Sequence, residues 1–514
     1  MKKLDSLVYL IHSLSKSEKK HFAVSKPGEQ AQDYMILYRM IAKSVITDED
    51  AIRNDYRQAA RGTSFDISVH YLYDKILDTL VALRKKKDIY YDLFRRLSKV
   101  RVLYERSMFR ECFGMLEEVI ARAQKNEIYE ILLIAAKLEL EYLLRLNFPN
   151  ISEKELYHKH YEQVNMIKNI RKITEQASLY GLLRHRLTHK GNVRSARQKK
   201  ELDDLMVSEL SISASLPGKE DSFERTKNHK LFQATYLMGI GDFSAALRSF
   251  RELAQLFENN PHFWANPPIY YLSVLEGILS SLRSVGDYGE MSFFIKKLEN
   301  MAGNYSLEFK INVLCLIFQY KLFPLFDQGD YEGCKRLIDA YKDSLFDNAS
   351  WLSPIRKSEM QLYAALVHIG LRKYAEAKKL INSIIFDHDI EYLPIMRTIR
   401  LVRLIIYYET GNFDLVRHES HSIRRNLSLK KEFSFKTEHL MLFFLNKYNL
   451  PILQSERIKM HNKLLQKIND LHEDKYERQL LNIFDFTAWI ESKALKRSLS
   501  DVIQSRPRSS TFGN

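Results

Sequence analysis

Glycine and proline are scarce in this chain. Its 514 residues hold 17 Gly and 11 Pro, about 5% together where average usage is roughly 12%. Collagen-like, linker-like and turn-dense all-β chains are excluded, because each tight turn needs residues that tolerate unusual φ/ψ. Three cysteines, Cys112, Cys315 and Cys334, cannot form a disulfide framework, which points to a reducing compartment. No run of 18 apolar residues occurs, and the apolar stretch Leu7 to Ile11 is short for a signal peptide. A cytoplasmic protein without a membrane partner is expected. With 45% apolar and 12% aromatic residues, the chain can bury a core, so long disorder is excluded as well. The net charge of +15 permits a polyanionic partner without demanding one.

Chemical motifs are also missing. The sequence has no Walker loop, no Gly-x-Ser-x-Gly elbow and no His-Glu-x-x-His. Gly239-Ile240-Gly241 begins like a dinucleotide fingerprint but lacks the third glycine and a preceding strand. His185 and His189 stand four apart, a spacing two metal ligands can use, yet no acid or cysteine lies near in sequence to complete a site. Asp387-His388-Asp389 and His418-Glu419-Ser420-His421 read as loop or helix-edge polarity. No cofactor, metal site or catalytic residue is therefore expected.

What is present is a repeat. A small or polar turn, an aromatic and a helix recur as Ser107-Met108-Phe109, Gly241-Asp242-Phe243, Gly286-Asp287-Tyr288, Gly329-Asp330-Tyr331, Arg372-Lys373-Tyr374 and Gly411-Asn412-Phe413. The last five aromatics are 45, 43, 43 and 39 residues apart. The gap from 109 to 243 leaves room for three more units, with weaker candidates at Asn147-Phe148 and Gly191-Asn192-Val193. Three positions after each aromatic come Cys112, Ala246, Met291, Cys334, Ala377 and Val416, mostly small. Seven positions after come Leu116, Phe250, Ile295, Ile338 and Ile381, with Ser420 breaking the rule. Ten positions after come Val119, Leu253, Leu298, Tyr341, Ile384 and Ile423. Offsets of 0, 3, 7 and 10 share one face of an α-helix. Each unit thus reads as a helical hairpin. The cysteines at offset 3, and Cys315 inside an apolar run, read as packing residues rather than nucleophiles.

This pattern resembles the tetratricopeptide repeat, most closely from Tyr236 through Gly241-Asp242-Phe243-Ser244-Ala245-Ala246 to Pro261. The resemblance covers roughly residues 94 to 430. It implies an all-α, right-handed superhelical solenoid of stacked antiparallel hairpins, whose concave surface binds peptides or partner proteins. The period here is about 43 rather than the family's roughly 34. The Trp and Leu-Gly of the first consensus helix are not kept, and no carboxylate-clamp residues are carried over. The whole chain is also similar to uncharacterised bacterial helical-repeat proteins that open with a Leu-Ser-Lys-Ser-Glu-Lys stretch, here Leu14 to Lys19.

The organisation expected is a helical N-terminal cap or domain at 1–90, repeats at 91–430, C-terminal capping helices at 431–496 and a flexible tail at 497–514. The cap reads as helices near 3–14, 17–24, 32–44, 48–60 and 66–86, the last with Ile67, Leu72, Ile76, Leu77, Leu80 and Leu83 at helical spacing. Its 16 basic and 12 acidic residues do not concentrate charge as a DNA-reading module does. Phe484, Phe486, Trp489 and Ile490 are expected to plug the last hairpin, since terminal repeats must cover the end of the stack. The expected function is a non-enzymatic scaffold or regulator holding a protein partner on the concave surface. The alternative is a nucleic-acid or ribosome-associated protein. It rests on Arg184, Arg186, Lys190, Arg194, Arg197, Lys199 and Lys200, seven cations in residues 184–200 with no acid among them, which can neutralise the phosphates of RNA or DNA.

Overall fold

The recurring phrase becomes one turn geometry, used many times. The computed structural model describes residues 3–24, 32–43, 49–60, 64–84, 88–214, 222–264, 267–301, 303, 305–386, 390–429, 434–446 and 454–506. Among these residues the chain is all-α, and neighbouring helices pack on one another in sequence order. Gly241, Gly286, Gly329 and Gly411 have φ of 81°, 80°, 73° and 71°, the left-handed region that a Cβ disfavours. The next amide then turns back to the carbonyl five residues earlier. Asp242, Asp287, Asp330 and Asn412 donate to Leu237, Leu282, Leu325 and Tyr407 at 3.0, 3.0, 2.9 and 2.9 Å. These bonds satisfy carbonyls that a helix end leaves open. The aspartate has a second task. Its carboxylate accepts from the amide three residues on, Ala245 to Asp242 at 3.1 Å and Gly333 to Asp330 at 2.8 Å, and so caps the following helix.

The geometry persists where glycine is missing. Ser107, Asn147 and Arg372 take φ of 58°, 58° and 60°, and the amides after them donate to Leu103, Leu143 and His368. Glu127, which no sequence phrase marks, does the same at φ 51°, with Ile128 donating to Ala123 at 2.9 Å. The face behind each turn is buried as its periodicity requires. Cys112, Ala246, Met291, Cys334, Ala377 and Val416 are all sealed, as are Leu116, Phe250 and Ile381. Phe413 and Tyr341 depart from the pattern, the first exposed and the second half-exposed.

The chain divides into two units, one of 1–171 with 303–310, the other of 172–302 with 311–514. In the first, helices Lys3–Ser13, Lys16–Val24, Gln32–Lys43, Glu49–Ala59 and Phe65–Arg84 enclose a core of their own around Leu7, Ile11, Leu37, Ile41, Tyr56 and Leu72. The last helix buries Phe65, Val69, Leu72 and Ile76, whereas Ile67 and Leu77 face outward. The 65/69/72/76 rhythm was the true seam, and two of the residues expected on it belong to the exposed side. Three 17-residue helices follow, Ile89–Glu105, Phe109–Lys125 and Tyr129–Arg145, joined by the turns at Ser107 and Glu127. Turns do form at Asn147 and Gly191, with φ of 58° and 78°, but between them, where a hairpin was expected, helix Glu153–Lys190 runs unbroken for 38 residues.

In the second unit, helices Phe223–Gly239, Phe243–Asn259, Ile269–Val285, Tyr288–Met301, Leu307–Asp327 from residue 311 on, Tyr331–Ala340, Pro354–Gly370, Tyr374–Ile385, Ile395–Glu409 and Phe413–Leu429 follow the repeat. Helix Leu307–Asp327 is long and apolar enough to cross a membrane by length and composition, and 67% of its most apolar window is buried in the fold.

The C-terminal helices do more than close one end. Trp489 packs on Tyr408 and Phe444 as an end plug would. Yet Gln479 Nε2 donates to the Val193 carbonyl at 3.0 Å, and Ser500 Oγ to the Gly329 carbonyl at 2.6 Å. Arg283 donates to the carbonyl of Asn482 at 2.6 Å. The main-chain groups left open at turns give these helices their hold. The flexible tail expected from 497 is corrected over its first part: Leu499–Ser505 is a helix with Val502 buried. Arg506 then pairs with Asp485 and Glu491. Residues 507–514 lie outside the described residues.

Candidate interaction surface

Three first helices of successive repeats carry polar residues seven apart, hence on one helical face. They are Glu276 and Arg283, Tyr320 and Asp327, Arg356 and Tyr363. The structure brings all six together. Arg283 forks onto Asp327 with Nε and Nη2 at 2.8 Å each, and its Nη1 reaches Tyr363 Oη at 3.0 Å. Arg356 forks onto Glu276 at 3.1 and 2.7 Å. Tyr320 Oη donates to the Glu276 carbonyl at 3.2 Å, and Tyr288 Oη to Asp327 at 2.8 Å. Planar guanidinium and carboxylate groups suit this two-point pairing.

The surroundings are dry enough to shift protonation. The Asp327 and Tyr363 contacts hold the Arg283 guanidinium charged against its burial. Glu359, beside them on helix Pro354–Gly370, is pushed up to about 7, first by burial and then by the Glu276 carboxylate, against the pull of Arg356. These contacts span 44 and 80 residues, so one sequence could not announce them. Only the seven-residue spacing of the charges hinted at a common face.

The basic segment is distributed differently from a free cationic strip. Arg184, Arg197 and Lys200 are exposed. Arg186 donates to the Glu201 carbonyl at 2.7 Å, Lys190 pairs with Glu201 at 3.3 Å, and Lys199 lies 3.8 Å from Asp203. Arg194 turns inward, its guanidinium 4.4 Å from the centre of the Phe435 ring, and burial lowers its pKa to about 10. The turn at Gly191, with φ 78°, divides the segment between helices Glu153–Lys190 and Ala196–Ala214.

His185 and His189 contact each other at 4.2 Å between ring centres, and His189 stacks on Tyr392. Among the described residues no three His, Cys, Asp or Glu side chains gather as metal ligands would. Asp387-His388-Asp389 lies outside the described residues. Glu419 is tied to Arg400 and Arg403. All three cysteines are buried, and burial raises the Cys315 and Cys334 thiols to about 12. A small aromatic-walled cavity of about 80 Å³ lies among Phe223, Phe257, Phe263, Trp264 and Tyr271. Its ammonium, Lys227, is already 2.6 Å from Glu224.

A different kind of surface lies on the long helix. Glu153–Lys190 fully buries only Gln176 and Leu183. Tyr157, Tyr161, Val164 and Ile167 remain 74%, 56%, 48% and 47% exposed. Spacings of four, three and three place them along one side of the helix. The sequence reading missed this stripe, because outward and inward apolar residues share the same period.

The fold and surface define an all-α protein of sequentially packed helices joined by a recurring turn. No protein-family model matches the chain, and comparison with curated proteins finds no match.

Proposed function

We propose that this chain is a non-enzymatic scaffold or regulator, a tetratricopeptide-like right-handed solenoid of helical hairpins that holds a protein partner on its concave surface. The observation that carries the reading is the sequential packing of helices across turns bonded alike, at Ser107 and Glu127 in the first unit and at Gly241, Gly286, Arg372 and Gly411 in the second. Stacked units of this kind bury a shared core and leave an extended ridge of side chains for recognition. The Glu276–Arg356 and Arg283–Tyr363 contacts join every second first helix, as strong curvature toward those helices requires. Exposed positions on that side, such as Ser273, are where a partner would touch.

The test uses the full chain as bait in an extract of its native host. A stoichiometric protein partner should be recovered, and Ser273→Arg should release it while the melting temperature stays unchanged. Recovery of no protein, together with turnover of a substrate by the purified chain, overturns the reading. So does RNA or DNA binding that weakens steeply with salt and disappears on reversing Arg197 and Lys200 to Glu.

A further inference from the structure

Helix Leu499–Ser505, the last of the described helices, is fastened by its ends more than by its bulk. It buries only Leu499 and Val502. Near its start Ser500 Oγ donates to the Gly329 carbonyl at 2.6 Å, and just past its end Arg506 enters a polar pocket. The joint to the preceding helix Phe486–Leu495 is Lys496, whose φ of 55° lies in the left-handed region that a Cβ disfavours. An element with so few buried apolar side chains opens more readily than the core it rests on.

The pocket sets one guanidinium between two carboxylates and a histidine. Arg506 Nη2 donates to Glu491 at 2.7 Å, and Nη1 donates to Asp485 and, at 3.0 Å, to Thr487 Oγ1. Nη1 also lies 3.0 Å from Nε2 of His472, on helix Gln454–Glu473. A guanidinium has no acceptor, so this nitrogen offers its lone pair and His472 is neutral in the contact. The other charged groups are placed around the same pocket. His472 is 3.9 Å from Asp485, His461 is 3.4 Å from Glu491, and Arg478 acts on His472 from the neighbouring helix Lys475–Leu481. A proton on His472 removes an acceptor from Arg506 and sets a second positive charge 3.0 Å from it.

We propose that helix Leu499–Ser505 with Arg506 is an acid-sensitive clasp, fastened to the Gly329 turn while His472 is neutral and loosened when His472 takes a proton. The direction follows from what opening leaves behind. With Arg506 withdrawn, His472 loses a cationic neighbour and keeps Asp485 and Glu491, which belong to the segment that stays. The open form therefore binds the proton more tightly, and falling pH favours it. In the closed form burial holds the His472 pKa below its ordinary 6.5 against the pull of Asp485, with Arg506 and Arg478 adding to the depression. Fastening is thus complete above that ordinary value and weakens below it. Opening uncovers Val502 and frees the Gly329 carbonyl. This inference does not rest on the proposed scaffold function, and the two fail separately.

Hydrogen exchange of the full chain, read by mass spectrometry and corrected for the intrinsic pH dependence of amide exchange, tests it. Protection of residues 499–505 should fall several-fold between about pH 7.5 and about pH 5.5, across the ordinary histidine range. Helix Phe243–Asn259 should keep its protection at both values, which shows that the rest of the unit stays folded. Arg506→Ala should lower protection of 499–505 already at neutral pH. His472→Gln, whose amide oxygen accepts without titrating, should abolish the pH dependence. Equal protection of the wild-type segment at both pH values overturns the proposal. So does a pH-dependent loss that persists in His472→Gln, or a segment as protected in Arg506→Ala as in the wild type.

Discussion

Two stretches of the molecule build the same turn from different chemistry. Between Phe223 and Ile385 the turns at Gly241, Gly286 and Gly329 use glycine for the left-handed residue, followed by a capping aspartate. Between Ile89 and Lys190 the same left-handed position falls to Ser107, Glu127 and Asn147, and helices Phe109–Lys125 and Tyr129–Arg145 begin without a side-chain cap. The first stretch also draws its polar first-helix side chains into one bonded cluster. The second leaves a row of apolar side chains facing outward on its last helix. Backbone geometry is thus held by helix packing in both, and favourable turn residues are an addition to it. Stability differences should follow this division.

The largest effect is expected at Arg283, which has no counterpart between Ile89 and Lys190. Its guanidinium sits between Asp327, Tyr363 and the Asn482 carbonyl, and over the Phe323 ring at 3.7 Å. Arg283→Ala leaves Asp327 without its two-point partner and frees the C-terminal contact. Loss of one member of a buried pair costs about 3–5 kcal/mol, measurable by denaturant unfolding at neutral pH. A loss under 1 kcal/mol would show that the cluster is an ornament of the fold.

Close helix approach comes next. A Cβ at Gly277 would lie 2.4 Å from the Phe250 ring, and one at Gly370 would lie 2.4 Å from the Tyr331 ring. Both rings belong to the repeated turn-following helix, at offsets 7 and 0. Gly277→Ala or Gly370→Ala should cost about 1–3 kcal/mol through overpacking. Gly114 has open space around it, so Gly114→Ala should be neutral or stabilising. Equal effects at the three sites would remove the packing distinction between the stretches.

A smaller, pH-dependent effect should arise at Glu359. Its carboxyl titrates at about 7 in the fold against 4.5 ordinarily, from burial first and Glu276 second. The folded state therefore holds this proton more tightly than the unfolded state between those values. Stability from this group is present below pH 4.5 and is lost as pH rises toward about 7. Glu359→Gln should flatten that decline and stabilise the chain at pH 8 by on the order of 1 kcal/mol, discounted because the side chain is part-exposed. An unchanged pH profile of the melting temperature would refute the assignment.

How much of this was readable from residues alone follows the same division. The Gly-Asp-aromatic turns were legible because left-handed geometry and capping select particular residue types. Offsets 3, 7 and 10 were legible because burial has the period of the helix. Glu127 carried no signal, since its conformation is imposed by the 17-residue helices on either side. The unbroken helix Glu153–Lys190 was hidden for a related reason: nothing in its sequence forbids helix, and nothing marks which apolar residues face out. The Arg283 cluster joins residues separated by 44, 80 and 199 positions, which no local spacing reveals, whereas the turn that divides the basic segment at Gly191 was among the candidate turns the sequence offered.

The smallest expected effect isolates turn chemistry from packing. Arg372 occupies in the Tyr374 repeat the position that glycine holds in the repeats before and after it, with φ 60° and the same bond from Lys373 to His368 at 2.8 Å. A non-glycine residue pays steric strain there, whereas glycine pays only the added freedom of the unfolded chain. The steric cost of about 1–2 kcal/mol exceeds the entropic cost of about 0.4–1 kcal/mol. Arg372→Gly should therefore stabilise the fold by about 0.5–1 kcal/mol, while Gly286→Ala, at φ 80° with open space around its Cβ, should destabilise it by a similar amount. Opposite signs at two equivalent turns are what backbone conformation alone predicts. If both substitutions destabilise, Arg372 is held by side-chain contacts instead, and the non-glycine turns are a separate class rather than strained copies of the glycine ones.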